Sequence, residues 1–178
     1  MIWLLWILAV LVGLVVLIVV IGMLLPKNHT ATVSQRIGAS AEAVFATITN
    51  WNEFPAWRSG LKSVAPRDGG GWIETSSHGV IPFVVIESVN PSRLVTRIAD
   101  PKLPFGGTWT WVLTPDAAGC VVTITEDGEV FNPVFRFVSR FVLGYEGTMK
   151  TVLRDLQRKF EASDPSRLHP GPAATVSS

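Results

Sequence analysis

The sequence predicts an α+β protein. A membrane-spanning N-terminal helix precedes one domain, in which a long C-terminal helix covers a curved seven-stranded antiparallel sheet. Three observations support this fold class. Residues 1–25 lack charged side chains and histidine, residues 61–130 contain short strand patterns separated by turn residues, and residues 133–162 repeat apolar residues at three- and four-residue steps. At 178 residues the chain has room for one membrane helix and one ordinary domain.

The N-terminal stretch, residues 2–25, is an unbroken run of apolar residues and glycine. As a helix it would span ~36 Å, enough to cross a hydrocarbon core of ~30 Å. Trp3 and Trp6 lie at one end, where indole rings favour the membrane interface. The alternative is a cleaved signal peptide, but no basic residue precedes the run, no A-x-A cleavage site follows it, and it exceeds the usual length. We therefore expect residues 1–26 to be a permanent anchor.

The orientation of this anchor is predicted from its flanking charges. Lys27 and Arg36 are the nearest charged residues, and both follow the helix. Because cytoplasmic flanks carry an excess of Lys and Arg, the domain of residues 27–162 is expected in the cytoplasm. The sequence thus predicts a single-pass protein of the cell membrane.

Composition excludes several classes of site. The 15 basic and 14 acidic residues nearly balance, so no basic excess favours nucleic-acid binding. The single cysteine, Cys120, excludes an internal disulfide and lies in an apolar strand pattern, which indicates a small core residue rather than a reactive thiol. His29, His78 and His169 lack metal-ligand spacing. We expect neither a metal nor a cofactor.

The domain opens with a strand pattern at residues 30–37, followed by two short helices. Ser40 is a suitable N-cap for the first helix. Its apolar face is spaced at i, i+4 and i+7 and consists of Val44, Ile48 and Trp51. The second helix is predicted at residues 53–57, with Pro55 tolerated in the first turn.

Six further strands are predicted, separated by turns rich in Gly, Pro, Asn, Asp and Ser. They cover residues 61–66, 72–77, 82–89, 93–99, 107–114 and 121–130. Such short links imply an antiparallel meander. The turn at residues 68–71 (DGGG) lacks the Gly-Lys-Ser/Thr ending of a phosphate-binding loop, so a plain hairpin turn is expected.

The last element is predicted as one helix over residues 133–162, about 45 Å long. Its apolar stripe consists of Val134, Val138, Val142, Tyr145, Met149, Val152, Leu156 and Phe160. The basic residues expected on the opposite, solvent face are Arg136, Arg140, Lys150, Arg154 and Arg158. Because such a helix bridges a curved sheet, we expect a partly open hydrophobic cavity between them. Residues 163–178 are rich in Pro, Ser and Ala without periodicity and are predicted to be a disordered tail.

Four segments occur in a familiar order: residues 39–45 (ASAEAVF), 54–57 (FPAW), 107–111 (GTWTW) and 123–129 (TITEDGE). With them, residues 30–162 resemble the START/Bet v 1 superfamily and, within it, the polyketide cyclase/dehydrase-like (SRPBCC-type) proteins. The resemblance implies a helix-grip fold with a ligand cavity between the sheet and the C-terminal helix. Members bind lipids, sterols, polyketides, quinones or plant hormones and only some are enzymes, so the resemblance names no substrate.

Candidate ligand contacts come from two elements. Trp109 and Trp111 alternate on one strand and therefore share a face, where they are expected to line the cavity and stack on a flat apolar ligand. The alternative is that they lie on the convex face or pack under the short helices. The terminal helix is expected to contribute Phe135, Val138, Val142, Tyr145 and Met149, although such stripes are often plain core. The Tyr145 hydroxyl is a candidate polar contact.

Acid–base candidates in the strand region are Glu74, His78 and Glu126. A cyclase-type reaction needs a carboxylate or imidazole that moves protons at an enolisable carbon. The spacing places no two of the three together, His78 is most simply part of a hairpin turn, and Glu126 is expected as a surface charge at a strand end. No catalytic residue is therefore assigned.

Three functions are compatible with these observations. The leading hypothesis is a membrane-tethered module that binds a hydrophobic small molecule or lipid, because tethering raises the effective concentration of membrane-stored ligands. The alternative is a cyclase- or dehydratase-type enzyme acting on a polyketide-like or aromatic substrate. A third possibility is a domain that binds a protein partner through the basic face of its last helix.

Overall fold

A computed structural model describes residues 2–77 and 79–163 of the chain. The predicted turn at His78 and residues 164–178 of the predicted tail lie outside the described residues. The first element is α1, Ile2–Leu24, the one helix of the described residues that is long and apolar enough to cross a membrane. An α+β domain with one seven-stranded sheet follows it.

The sheet is antiparallel throughout, with the strand order β1-β7-β6-β5-β4-β3-β2. The strands are β1 Asn28–Ile37, β2 Leu61–Pro66, β3 Trp72–Ser76, β4 Gly79–Val89, β5 Arg93–Ile98, β6 Phe105–Asp116 and β7 Gly119–Val130. Strands β2 to β7 form the predicted meander. The first strand then pairs with the last along its whole length, so β1 lies at one edge beside β7.

The pairing register separates an apolar inner face from a polar outer face. Val33 lies opposite Ile124 and Ile37 opposite Cys120, and all four side chains are buried. On the outer face the neighbouring pairs are hydroxyls, for example Thr32 with Thr125 at 3.0 Å. The buried inner-face residues of the core cluster are Val33, Ile37, Leu94, Trp111, Leu113, Cys120, Val122 and Ile124. This alternation is the signature of a sheet covered on one face only.

The two short helices form as predicted. Helix α2, Ala41–Thr49, begins at Ser40, whose Oγ accepts a hydrogen bond from the Ala43 amide at 3.2 Å. It buries Val44, Phe45 and Ile48 in the core cluster. A 3₁₀ turn then leads into α3, Phe54–Trp57, which carries Pro55 in its first turn, where the missing amide hydrogen costs nothing.

The C-terminal element is not one continuous helix, and that part of the sequence prediction is wrong. It consists of α4, Pro133–Val138, a π-helical turn, Ser139–Leu143, and α5, Gly147–Ala162. Gly144 interrupts it with φ of 70°, a left-handed conformation that favours glycine. Only α5 covers the inner face of the sheet. It buries Met149, Val152, Leu153, Asp155 and Leu156.

Helix α4 packs against α1 instead of the sheet. Gly22 of α1 is buried, and a Cβ atom there would overlap the carbonyl group of Pro133. The expected solvent position of Arg136 is therefore also wrong. Its side chain is buried and donates hydrogen bonds to the carbonyl oxygens of Leu25, at 3.0 Å, and Phe131, at 3.1 Å.

Candidate functional site

Four side chains meet on the inner face of the sheet, at the end nearest α1. Trp109 Nε1 donates a hydrogen bond to Glu126 Oε2 at 2.9 Å, across neighbouring strands β6 and β7. The other oxygen, Glu126 Oε1, lies 3.2 Å from His29 Nε2 on β1. Tyr145 stacks on the His29 ring with 3.7 Å between ring centroids and 15° between planes. We call Trp109, Glu126, His29 and Tyr145 the inner-face cluster.

Local backbone features make room for this cluster. Gly128 lies directly opposite His29 in the β1–β7 register, and a Cβ atom at that position would overlap the imidazole ring. The break at Gly144 turns the chain between Leu143 and Gly147, which brings Tyr145 over His29. Both features depend on glycine: Gly128 has no Cβ atom to overlap His29, and Gly144 adopts a positive φ. In the sequence they are visible only as two glycines.

One nitrogen of the cluster, His29 Nδ1, is buried without a hydrogen-bond partner among the described residues. The side chains of His29 and Glu126 are 11% and 22% exposed. A neutral imidazole that donates Nε2–H to the Glu126 carboxylate keeps Nδ1 as a proton acceptor. The arrangement therefore offers an oriented base, a carboxylate and two aromatic rings within one small region.

The sequence-predicted contacts do not all gather here. Trp109 and Trp111 share the inner face as expected, with ring centroids 6.0 Å apart, but Trp111 belongs to the buried core. Met149 is also core and fully buried. Val138 is half-buried on α4.

Two residues expected on the cavity wall lie elsewhere. Phe135 is 49% exposed and Val142 is 69% exposed, because α4 leaves the sheet and packs on α1, and the π-helical turn continues from α4. Their predicted orientation toward the sheet assumed an unbroken helix. Of the five predicted helix residues, Tyr145 alone joins the inner-face cluster.

The acid–base candidates Glu74 and Glu126 lie in two different environments. Glu74 is buried and bound by Arg58 Nη1 at 2.6 Å and Trp72 Nε1 at 2.9 Å, which makes it a structural ion pair near α3. His78 lies outside the described residues. Glu126 is not the expected surface charge, since it is the centre of the inner-face cluster.

Sequence reasoning missed His29, although a signal was present. Strand residues alternate faces, so His29 shares a face with Val33 and Ile37, and Glu126 shares a face with Val122 and Ile124. Counting alternation from the apolar residues therefore places both polar side chains inward. What the alternation does not give is the pairing of β1 with β7, which brings the two together.

A concavity lies on the outer face of the sheet. It is an open groove of about 720 Å³ crossed by one row of paired residues, Val84, Arg97, Thr108, Asp127 and Thr30. Charged residues of both signs line it, including Arg67 and Glu129. The lining includes His29 of the inner-face cluster but neither Trp109 nor a residue of α5. Its mixed charge gives no single ligand chemistry.

Comparison with known proteins identifies the family. Residues 28–161 match the model of a protein family described as polyketide cyclase / dehydrase and lipid transport. The chain belongs to this family. A comparison with curated proteins gives no match.

Solved structures confirm the helix-grip fold of this polyketide cyclase/dehydrase family member. A START superfamily protein from Mycobacterium smegmatis is similar with a TM-score of 0.59 and 15% identity, over 78% of this chain and 100% of the other. Protein Mll3558 from Rhizobium loti has a TM-score of 0.59 and 24% identity, over 74% and 96%. The di-domain ARO/CYC StfQ from the steffimycin biosynthetic pathway has a TM-score of 0.60 and 14% identity, over 77% of this chain and 52% of that chain.

Proposed function

We propose that this protein is a membrane-tethered domain that binds a hydrophobic small molecule or lipid against the inner face of its sheet, with α1 as the tether. The proposed setting is the cell membrane, with the domain in the cytoplasm as Lys27 and Arg36 indicate. The observation that carries the proposal is the inner-face cluster. It places two aromatic rings and a hydrogen-bonded polar pair on a mostly apolar face.

Such a combination suits an apolar ligand with one polar group. Ligand sites are typically apolar surfaces with a few placed polar groups that fix orientation. Here Trp109 and Tyr145 supply flat apolar area, while His29 Nδ1 is free to accept a hydrogen bond. The site also lies close to the proposed tether, because His29 is the fifth residue beyond the end of α1 at Leu24. Family membership supports binding of this ligand class.

The binding proposal is tested with the full chain in detergent. Native mass spectrometry would first show whether a lipid or small molecule co-purifies. The affinity for cis-parinaric acid, a fluorescent fatty acid, would then be compared between the wild type and Trp109→Phe. Loss of the indole ring and its N–H should weaken binding by roughly 0.5–1.5 kcal/mol, or about 2- to 12-fold.

Trp51→Phe is the matched control, since Trp51 lies on the 3₁₀ turn outside the inner-face cluster. It should leave the affinity unchanged. Equal affinities for the wild type and Trp109→Phe would remove Trp109 from the site. Absence of any binding to the wild type would count against the proposed function as a whole.

A specific observation supports an enzyme as the second candidate. A carboxylate that orients an imidazole, with the other ring nitrogen free, is the arrangement of a general base. In a cyclase-type step His29 Nδ1 would remove a proton from a carbon next to a carbonyl, and Glu126 would stabilise the imidazolium that forms.

Deuterium exchange tests this candidate separately. The full chain would be incubated in deuterated water with a model aromatic ketone that carries an enolisable carbon, and incorporation followed by proton NMR. A general base predicts catalysed exchange in the wild type that His29→Gln abolishes while probe binding persists. Exchange at the uncatalysed rate in the wild type would leave binding as the function.

A further inference from the structure

Apolar side chains remain exposed along α4 and the segments on either side of it. Six large side chains between residues 131 and 143 are between 42% and 69% exposed. They are Phe131, Val134, Phe135, Phe141, Val142 and Leu143. We call residues 131–143 the apolar strap. Exposed large apolar side chains concentrated in one segment are typical of a contact with a membrane or another molecule.

Within the strap, α4 packs on the last turns of α1. Within α1, burial is confined to the end near the domain, where Ile18, Val19 and Ile21 are half-buried and Gly22 is buried. The missing side chain at Gly22 allows Pro133 of α4 to approach the α1 backbone closely. The position of α4 relative to α1 is therefore fixed by packing rather than by a flexible linker.

This packing sets the depth of the strap. If α1 crosses the bilayer, Leu24 marks the end of its apolar length. At 1.5 Å per residue Gly22 lies roughly 3 Å inside that end, and Ile18 roughly 9 Å inside it. Helices that lie in the membrane interface bury their apolar faces by about 5–10 Å. An element packed on Ile18 to Gly22, roughly 3–9 Å inside that end, overlaps this range.

Arg136 locks the same contact. Its guanidinium donates to the carbonyl of Leu25, just beyond the end of α1, and its partners among the described residues are backbone carbonyls. A cation at a helix C-terminus is favourable because the last carbonyls lack intrahelical partners. The neighbouring strap cation, Arg140, is exposed, so it is free to reach lipid phosphate.

We propose that the apolar strap is a second membrane-contacting element, inserted into the interface of the leaflet from which α1 emerges. The occupant of this surface is the lipid bilayer, chosen because the strap is continuous with α1 and lies at its membrane-facing depth. Tyr145 follows the strap by two residues, so insertion places the inner-face cluster at the bilayer surface. The inference rests on the proposed tethering by α1 and adds a fixed orientation to it.

Depth measurements on the full chain test the proposal. Single cysteines at Phe135→Cys and Val142→Cys would be introduced into a Cys120→Ala background and labelled with the fluorophore NBD. The proteins would be reconstituted into vesicles of phosphatidylcholine and phosphatidylglycerol containing nitroxide-labelled lipid. Both strap probes should be quenched more strongly by shallow nitroxides, near the ester group, than by deep ones.

Two reference positions make the result interpretable. Val89→Cys is the exposed control on β4. Val89 lies in the same row across the sheet as Ser34. That row is roughly 20 Å along β1 from Asn28, the end of the sheet nearest α1. Val12→Cys reports the middle of α1. Quenching at the strap should be roughly twofold or more above that at Val89, as insertion of several ångströms requires.

The outcomes separate the inference from the proposed function. Deep quenching at Val12 with strap quenching no greater than at Val89 would overturn the strap while the tether stands. Absence of quenching at Val12 would overturn the tether and the strap together. Blue-shifted but unquenched strap probes would show that a protein surface, including a second copy of the chain, covers the strap, and would also overturn the proposal.

Discussion

The inner-face cluster depends on the absence of a side chain at Gly128. Gly128 lies opposite His29, and a Cβ there would overlap the imidazole. Gly128→Ala should displace His29 from Glu126 and Tyr145 and lower the free energy of unfolding by about 1–3 kcal/mol, the usual cost of overpacking. Gly38→Ala is the control, because nothing lies within 4 Å of its Cβ position. Denaturant unfolding measures both. Equal stabilities would show that the β1–β7 edge yields without strain.

The cysteine provides a pH-dependent prediction. Burial raises the pKa of the Cys120 thiol, and the nearby carboxylates of Asp116 and Glu42 raise it further. The folded thiol should therefore resist a thiol reagent at pH 8–9, where an exposed cysteine of pKa ~8.5 reacts readily. Above that pH the unfolded state loses the proton first, so the stability contributed by the buried thiol should fall as pH rises. Fast labelling of the native chain would contradict the buried position.

The site was only partly predictable at the residue scale. Alternation on β6 was enough to place Trp109 and Trp111 on one face. The contact of His29 with Glu126 joins residues 97 positions apart, and it exists because β1 pairs with β7. Alternation along one strand predicts which face of the sheet a side chain occupies, but it does not predict which residue lies beside it on the neighbouring strand.

At the scale of elements, α5 should contribute more to the free energy of unfolding than α4 and the π-helical turn. Leu156 on α5 is fully buried, whereas Leu143 in the strap is 68% exposed. Leu156→Ala should therefore cost about 2–5 kcal/mol. In detergent, Leu143→Ala should cost no more than ~0.5 kcal/mol, as expected for a surface change. Thermal or denaturant unfolding compares the same substitution at both positions. Similar losses would mean that the strap packs on the sheet after all.

The break before α5 shows where a periodic pattern misleads. The apolar stripe continued in register from Val134 to Phe160, so period alone predicted one helix. Gly144 and Gly147 were the signals of a break, since glycine disfavours helix interiors and Gly144 adopts φ of 70°. The apolar stripe has different roles on the two sides of the break: α5 covers the core, whereas α4 packs on α1.

The whole molecule has two apolar systems, the core cluster and the contact between α1 and α4. The core cluster is built from residues 33–156 and contains no residue of α1. The sequence predicted the seven strands, the two short helices and the N-terminal apolar helix because the signals for each are local: alternation and turn residues, a short apolar face, and an unbroken apolar run. It did not predict the docking of α4 on α1, because that contact depends on Gly22 and Arg136 meeting segments more than 100 residues away.

A chain that begins at Asn28 tests this division. Because the core is complete without α1, this chain should keep a cooperative unfolding transition and a mixed α/β circular dichroism spectrum. Its strap should still bind phosphatidylglycerol vesicles, since Phe135, Val142 and Leu143 remain exposed. Changing these three residues to Ser should weaken vesicle binding at least roughly tenfold, because each large apolar side chain contributes about 1.5–3 kcal/mol on burial. Val89→Ser, at a site on β4 that is as exposed as Phe135, should leave vesicle binding unchanged. An unfolded chain from Asn28 would instead show that α1 is part of the fold and that the boundary at residue 27 is wrong.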